Sequence, residues 1–246
     1  MNENLDIFIC THKDFKSAVS DHVYKVVDAR KIRDTYKICY TLTDIELSEW
    51  YHFFYILENV NLKDYVGFCH YRRFYNFLDD VPNMDEIFKE YEIVTRTPMN
   101  LSVSIKTQYE YCHNVEDLNS LGEILKDNFN EYYETYELFL KAKKFVPCNM
   151  FIMKKDDFIK FLHFIKEFLK EWFWRNGIDV NKRVLDNEVK YIKKFSPNNY
   201  ISYQSRLITF ILERLTNIYI LKNFSKIKTY DIILTENKYN LKNNKF

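Results

Sequence analysis

A histidine and two adjacent arginines follow a short apolar run in the first third of the sequence. The run 65–69 is followed directly by His70, Tyr71, Arg72 and Arg73. A short apolar run after a helical pattern predicts a buried strand, and the polar residues predict a loop at its C-terminal end. Guanidinium groups stay protonated and donate paired hydrogen bonds, so the two arginines suit phosphate oxygens. The pattern favours a phosphorylated ligand such as a nucleotide; the alternative is a solvated basic loop.

A second polar loop follows the apolar run 5–10 near the N-terminus. It contains Thr11, His12 and Lys13. Ligands of open α/β sheets bind outside the C-terminal ends of the strands, so we expect both loops on one edge of a parallel sheet. Together the loops offer positive charges that suit an anionic diphosphate without a metal. The alternative is that Lys13 lies along the surface and the arginines form exposed salt bridges.

The remaining pattern predicts strands that alternate with helices, which is typical of a doubly wound sheet. Predicted strands cover 5–10, 23–27, 65–69, 91–95 and 148–153. Predicted helices cover about 43–59, 84–89, 105–112, 115–126, 131–141, 155–174 and 202–221. The stretch 28–43 is poorly periodic and predicts an irregular connection. The helix 155–174 carries a wide apolar stripe, which predicts a core-facing surface and not a membrane helix.

Length and composition exclude several classes of protein. The 246 residues suffice for one large domain, and an aromatic content of 18% argues against disorder. Lysine and arginine total 36 against 35 acidic residues, so the net charge of +1 disfavours a nucleic-acid binder. Only 3 glycines occur, which excludes glycine-rich phosphate loops.

The cysteines and the N-terminus indicate a compartment. The 5 cysteines are widely spaced without a Cys-x-x-Cys pair, so we expect reduced core thiols and neither disulfides nor a thiolate zinc site. The N-terminus does not have the pattern of a secretory signal. No apolar stretch approaches the roughly 18 residues that span a bilayer. We therefore expect a cytoplasmic protein that is soluble or at most peripheral to a membrane.

Several segments carry a resemblance to a known family. They are 7–13 (IFICTHK), 65–74 (YVGFCHYRRF), 149–155 (NMFIMKK), 202–206 (SYQSR) and 213–215 (ERL). In this order they resemble a bacterial family of capsular and exopolysaccharide glycosyltransferases that was long catalogued as a domain of unknown function. The resemblance extends over residues 5–222.

That resemblance implies a GT-A-like α/β fold, with a mixed, mainly parallel sheet flanked by helices and a helical C-terminal part. We expect one domain over 1–224, followed by a partly frayed extension over 225–246. The resemblance also implies a nucleotide-sugar donor, expected to be a UDP-sugar, and a growing surface-glycan acceptor. Such acceptors are often lipid-linked, which would fit loose association with the inner face of the cytoplasmic membrane.

The resemblance assigns donor binding to the two polar loops and to one helix residue. The expected donor-binding residues are Thr11, His12, Lys13, Glu49, His70, Tyr71, Arg72 and Arg73. GT-A enzymes usually carry an Asp-x-Asp motif after the equivalent strand, where a carboxylate holds a divalent metal on the diphosphate. Here that position reads Cys-His-Tyr-Arg-Arg, so we expect the arginines to replace the metal and no cofactor to be required. The competing hypothesis is a Mn²⁺ or Mg²⁺ site at Asp79 and Asp80.

A glycosyl transfer also needs a group that handles the acceptor hydroxyl, usually a carboxylate or a histidine. Glu213 lies in an apolar helical pattern, where burial would raise its pKa; an ion pair with Arg214 or Arg206 is an equal alternative. His113, between two predicted helices, is the second catalytic candidate. Weaker catalytic candidates are Asp186 and Glu188. By analogy, the residues expected to contact the sugar or the acceptor are Asn149, Tyr203, Gln204 and Arg206.

These expectations describe a glycosyltransferase that builds a surface polysaccharide. The alternative from a different class is a non-catalytic subunit of a polysaccharide assembly complex that binds a nucleotide or a glycan. A catalyst turns its donor over, whereas a binding subunit shows saturable binding alone.

Overall fold

Strand β1 (Leu5–Thr11) lies between β2 (Tyr24–Asp28) and β3 (Tyr65–His70), and both neighbours run parallel to it. The computed structural model describes residues 3–15, 19–20, 22–36, 44–177 and 206–235. Every residue of β1 is buried, because alternate side chains enter two different apolar cores on the two faces of the sheet. In register, Cys10 of β1 lies opposite His70 of β3, so the two predicted polar loops leave the sheet side by side.

The other strands make the sheet mixed. Antiparallel ladders join β3 to β4 (Arg73–Tyr75) and to β8 (Phe151–Lys154), and β8 to β5 (Ile93–Arg96). Strand β9 (Ile227–Tyr230) runs parallel to β5, and β10 (Ile232–Leu234) runs antiparallel to β4. The longest ladders are the parallel ones, which confirms the predicted mixed α/β class. Two short strands, β6 (Met99–Asn100) and β7 (Lys144–Phe145), pair separately.

Helices cover both faces of the sheet. They are α1 (Ala29–Ile32), α2 (Asp44–Leu47), α3 (Glu49–Asn59), α4 (Met84–Glu90), α5 (Ile105–Cys112), α6 (Glu116–Asn128), α7 (Tyr133–Lys141), α8 (Lys155–Arg175) and α9 (Leu207–Asn223), with a 3-10 turn at Asn130–Tyr132. The apolar stripe predicted for α8 is buried in the larger core, which confirms it as a core face. Each such buried side chain stabilises the fold by about 1.5–3 kcal/mol. No helix in the described ranges is long and apolar enough to cross a bilayer.

The helix predicted over about 43–59 is broken in two. Ser48 separates α2 from α3 and has a φ of 49°, which is the left-handed region that residues other than glycine rarely adopt. The residues on either side have helical periodicity, so the sequence pattern gives no sign of the break. It makes Glu49 the first residue of α3, at the positive end of that helix. The predicted irregular connection 28–43 also contains a short helix, α1.

Two other predicted boundaries differ at the site. The polar residues after β3 form a tight turn at Tyr71 and Arg72, because Arg73 already pairs with His70 as the first residue of β4. The strand predicted over 148–153 begins only at Phe151, since Cys148 and Asn149 have φ angles of 73° and 44°, which are not strand values.

The segment after residue 224, which we expected to be an extension, contributes strands β9 and β10 to the central sheet. The predicted frayed tail over 237–246 lies outside the described residues.

Candidate active site

A cavity of about 640 Å³ opens at the C-terminal ends of β1 and β3, and we call it the central cleft. Its position is the edge of the sheet at which the two polar loops were predicted to meet. The described residues that line it are Cys10, Thr11, His12, Arg30, Arg33, Asp44, Ser48, Glu49, His52, His70, Tyr71, Arg72, Arg73, Cys148, Arg206, Thr209, Phe210 and Glu213.

The loop after β1 is held by its own threonine. The Thr11 hydroxyl donates to the carbonyl of Lys13 at 2.7 Å and accepts from the Lys13 backbone N–H at 3.0 Å, which closes a tight turn. The exposed His12 ring meets the Tyr71 ring edge-to-face, with 5.5 Å between ring centroids. Burial and the charge of Lys13 lower the pKa of His12. This loop and the β3 turn therefore form one wall of the cleft, with Lys13 outside the lining residues.

The arginines at the cleft differ in their partners. Arg30 binds Asp28 and Asp14, and Arg33 forms two hydrogen bonds of 2.7 Å with both oxygens of Asp44. Among the described residues, neither Arg72 nor Arg73 forms an ion pair with a carboxylate. Arg72 is exposed and lies 5.1 Å from the centroid of the Tyr71 ring. Their charges are therefore available to a bound anion.

A strained turn between β7 and β8 forms the floor of the cleft. Cys148 and Asn149 are consecutive residues in the left-handed region, an arrangement that the surroundings must enforce. His70 Nε2 donates to the Cys148 carbonyl at 2.7 Å, and the Cys148 N–H donates to Glu213 Oε1 at 2.6 Å. Asn149 Nδ2 donates to Glu49 Oε1 at 2.8 Å. Side chains from three distant elements thus hold two successive residues.

The hydrogen bond to Cys148 shows which ring nitrogen of His70 donates. A carbonyl oxygen can only accept, so Nε2 of His70 carries a proton and donates it to this bond. Burial lowers the pKa of His70, although the negative charge of Glu49 opposes the shift. The ring therefore acts as a fixed donor to the turn.

Glu213 is engaged on both oxygens. Oε2 accepts from Arg214 Nη1 at 2.8 Å, which is the ion pair weighed from the sequence. The Arg214 guanidinium lies over the rings of Tyr109 and Phe145, at 5.1 and 4.7 Å, and also donates to Gln108. Burial raises the pKa of Glu213, while the charge of Arg214 and the Cys148 N–H oppose the shift.

The structure does not bring every predicted site residue into the cleft. His113 caps α5 and packs on Phe210, with 4.2 Å between ring centroids, but is not among the described residues that line the cleft. Burial and then the charge of Arg214 lower its pKa to about 4. Asn149 is buried behind Glu49 and not at the surface of the cleft, whereas the exposed Arg206 lines it. The predicted site residues that lie outside the described residues are Tyr203, Gln204, Asp186 and Glu188.

Sequence reasoning missed several lining residues, among them Arg30, Arg33, Ser48 and His52. Arg30 could have been found, because it follows β2 just as the predicted loops follow β1 and β3. His52 could not, because its helical spacing gives no sign that its Nε2 lies 3.0 Å from the carbonyl of Thr11.

The side chains at the end of β3 do not suit a divalent metal. Metals of this kind prefer carboxylate and carbonyl oxygens, whereas Arg72 and Arg73 present only cationic donors. Asp44 and Glu213 at the cleft are already bound to arginines. The competing metal candidates, Asp79 and Asp80, are exposed and not among the lining residues, and Asp79 accepts the backbone N–H of Ser20.

Comparison with known proteins agrees with this architecture. The apo structure of the WbbM bifunctional glycosyltransferase matches with a TM-score of 0.72 at 20% sequence identity. The match covers 95% of this chain and 46% of that one, so this chain spans about half the length of the larger protein. The likeness shows a shared fold.

No protein with a curated functional description matches the sequence. The family model described as a domain of unknown function, DUF4422, matches residues 6–224. This match extends over most of the chain, including β1, the turn after β3 and helix α9. The chain therefore belongs to the DUF4422 family.

Proposed function

We propose that this protein is a glycosyltransferase that moves a sugar from a nucleotide-sugar donor to a growing surface polysaccharide. The observation that carries the proposal is the pair Arg72 and Arg73, two arginines without a carboxylate partner among the described residues, at a cleft outside the ends of parallel strands. The fold shared with a glycosyltransferase structure supports the reaction class.

The donor diphosphate is placed against Arg72 and Arg73, with Lys13 and His12 on the adjoining loop. When the bond between the sugar and the diphosphate breaks, negative charge develops on the leaving oxygen. Guanidinium groups already positioned there stabilise that charge without reorganisation. The side chains at the end of β3 do not suit a metal ion, so no step of the reaction is assigned to one. A UDP-sugar is the proposed donor, with Thr11 and Tyr71 as its further contacts.

The acceptor side is proposed from the same resemblance as the sugar donor. A capsular or exopolysaccharide chain carried on a lipid would bring the enzyme to the inner face of the cytoplasmic membrane. Arg206, exposed at the cleft and bonded to the Ser48 hydroxyl, is the described residue best placed to meet this acceptor.

Thermal denaturation with UDP and a panel of sugar nucleotides, each with and without Mn²⁺, tests the proposal. A ligand that binds only the folded state raises the melting temperature by mass action. We expect UDP and at least one UDP-sugar to stabilise the protein without Mn²⁺. The Arg72→Ala, Arg73→Ala double variant should bind UDP at least tenfold more weakly, because a hydrogen bond to a charged group contributes about 1.5–3 kcal/mol.

Arg175→Ala is the matched control, since Arg175 pairs with Asp127 and is not among the described residues that line the cleft. Wild-type affinity in the double variant would contradict the diphosphate site. Turnover that requires Mn²⁺ and stops with EDTA would contradict the arginine clamp. Saturable binding without release of nucleotide from any sugar nucleotide would favour the non-catalytic alternative.

A further inference from the structure

Three carboxylates line the central cleft in the described part of the chain, and their hydrogen bonds distinguish them. Asp44 gives both oxygens to Arg33. Glu213 gives one oxygen to the Cys148 N–H and the other to Arg214. Glu49 accepts hydrogen bonds from Asn149 and from its own backbone N–H, and it is the one of the three that forms no ion pair with an arginine among the described residues.

We propose that Glu49 is the catalytic base of the transfer, and that Glu213 and Asn149 are positioning residues. This inference rests on the proposed function and assigns the chemistry within its site. It moves the base from Glu213, where the sequence favoured it, to a residue that had been assigned to donor binding. Protonation of Asp44 or Glu213 would neutralise a carboxylate that is paired with an arginine, whereas Glu49 has no such ion pair to lose among the described residues.

The strained turn at Cys148 and Asn149 orients the Glu49 carboxylate. Asn149 is 2% exposed, and its amide nitrogen lies 2.8 Å from Glu49 Oε1, which fixes the plane of the carboxylate. Asn149 and the preceding Cys148 are both left-handed, and Glu213 accepts the Cys148 N–H in that conformation. Glu213 therefore orients Glu49 through the turn, across two hydrogen bonds.

Glu49 is also kept ionised. Burial opposes its ionisation, but the charge of His70, the Asn149 hydrogen bond and its own backbone N–H hold its pKa below the ordinary value. The position at the start of α3 acts in the same direction. The titratable and charged groups around Glu49 are Cys10, His52, His70, Cys148, Arg206 and Glu213.

The reaction written for this site is a single displacement. The acceptor hydroxyl oxygen forms a bond to the anomeric carbon while the bond from that carbon to the diphosphate oxygen breaks. The electron pair of the broken bond remains on the diphosphate, beside Arg72 and Arg73. The hydroxyl proton passes to Glu49 Oε2. Such a displacement inverts the configuration of the anomeric carbon.

Glu49→Gln is the direct test, with Glu58→Gln as the matched control. Glutamine keeps an oxygen for Asn149 but cannot take the proton, and Glu58 is on the same helix, bonded to Tyr36 and Lys166. With the sugar nucleotide that the wild-type protein hydrolyses fastest, we expect Glu49→Gln to lower kcat by 10²–10⁴-fold, the range for general bases. The affinity of Glu49→Gln for UDP, measured by calorimetry, should stay within about twofold of the wild-type value. The control Glu58→Gln should keep full activity.

Asn149→Ala tests the positioning role. Loss of the amide hydrogen bond raises the pKa of Glu49, so the acid limb of the kcat/KM profile should move to higher pH while the KM for the donor stays unchanged. A residue that only stabilised the fold would leave that limb in place. Glu213→Gln should lower kcat less than Glu49→Gln, because it retains one oxygen for Cys148 or Arg214.

The outcomes separate this inference from the proposed function. If no sugar nucleotide binds the wild-type protein, both fail. If the wild-type protein binds and hydrolyses a donor while Glu49→Gln retains its kcat, only the assignment of Glu49 fails. Retention of the anomeric configuration, seen by NMR of the first sugar released, would overturn the single displacement.

Discussion

The arginines of the central cleft differ in whether a carboxylate neutralises their charge. Arg30 and Arg33 have carboxylate partners, so they contribute to the shape of the cleft and little free charge. Arg72 and Arg73 lie on the same cleft without such partners among the described residues. Desolvating them against a diphosphate would form new charge-assisted bonds and break none of the ion pairs described. The near-zero net charge is therefore compatible with a local anion site.

Asp117, outside the cleft, provides a pH-dependent test of the fold. Burial raises the pKa of this carboxyl to about 7, although Tyr109 donates a hydrogen bond to it. The folded state thus keeps a proton that the unfolded chain loses near pH 4. The contribution of Asp117 to the free energy of unfolding is fully present below about pH 4 and is lost as pH rises through about 7. Between pH 5 and pH 8 the loss is about 2–3 kcal/mol.

Asp117→Asn removes this titration and keeps an oxygen for the Tyr109 hydroxyl. We expect its free energy of unfolding, relative to wild type, to rise by about 2–3 kcal/mol from pH 5 to pH 8. Urea unfolding at the two pH values measures it. A difference that does not change with pH would show that Asp117 ionises normally in the folded protein.

At the scale of elements, irregular backbone is concentrated at the cleft. Ser48 interrupts the helical run before Glu49, and Cys148 with Asn149 interrupts the approach to β8. Left-handed conformations at residues other than glycine cost on the order of 1–3 kcal/mol each, so the packing must supply that energy. The described contacts that supply it come from Arg206, Glu213 and His70. The regular elements thus hold a strained floor beneath the proposed site.

Packing of α6 against α7 depends on Gly122. A methyl group added there would lie 2.7 Å from the hydroxyl of Tyr136, which donates to the Leu118 carbonyl from a buried position. We expect Gly122→Ala to destabilise the protein. The overpacking cost of about 1–3 kcal/mol exceeds the gain of roughly 1 kcal/mol in helix propensity. Chemical denaturation measures the change.

Ser120→Ala, on the same helix, is the comparison, because it raises helix propensity without entering the Tyr136 contact. If Gly122→Ala were as stable as Ser120→Ala, helices α6 and α7 would pack less closely than described.

At the scale of the whole molecule, the last two described strands lie at opposite edges of the sheet, and β10 lies beside the turn that carries Arg72. The Thr235 N–H donates to the Arg72 carbonyl at 2.9 Å, directly after β10. Strand β9 extends the other end of the sheet beside β5, and Glu92 accepts the backbone N–H groups of Ser225 and Lys226. The family match ends before these strands, yet they complete the sheet and support the arginine turn.

Truncation after Phe224 tests this role. Removing β9 and β10 leaves β4 and β5 without these ladder partners and deletes the hydrogen bond to Arg72. We expect a lower melting temperature and, at a temperature where the protein is still folded, weaker UDP binding than in wild type. A truncation after Thr235, which keeps both strands and the Arg72 contact, should bind UDP with near wild-type affinity. Equal affinity in the two truncated proteins would show that the strands serve stability alone.

The sequence by itself determined the class of fold and the edge of the sheet at which the candidate site lies. Alternating apolar runs and amphipathic helices predicted an α/β sheet, because these periodicities are local, and the family resemblance implied that the sheet is mixed. Polar residues after β1 and β3 predicted one shared edge, since neighbouring parallel strands bring their C-terminal ends together. The proposed base was not predictable in this way. Its assignment depends on the hydrogen-bond partners of the cleft carboxylates, and two of those partners, Asn149 and Cys148, are far along the chain from Glu49 and Glu213.

Only the tertiary structure decided those partners. Asn149 and Glu49 are separated by 100 residues, and Cys148 and Glu213 by 65. The left-handed turn that joins these pairs contains no glycine, so no residue type marks it. Periodicity reports which face of an element is buried, but not which buried polar groups meet. The fold and the edge of the site therefore followed from sequence, whereas the roles of Glu49, Glu213 and Asn149 depended on long-range contacts.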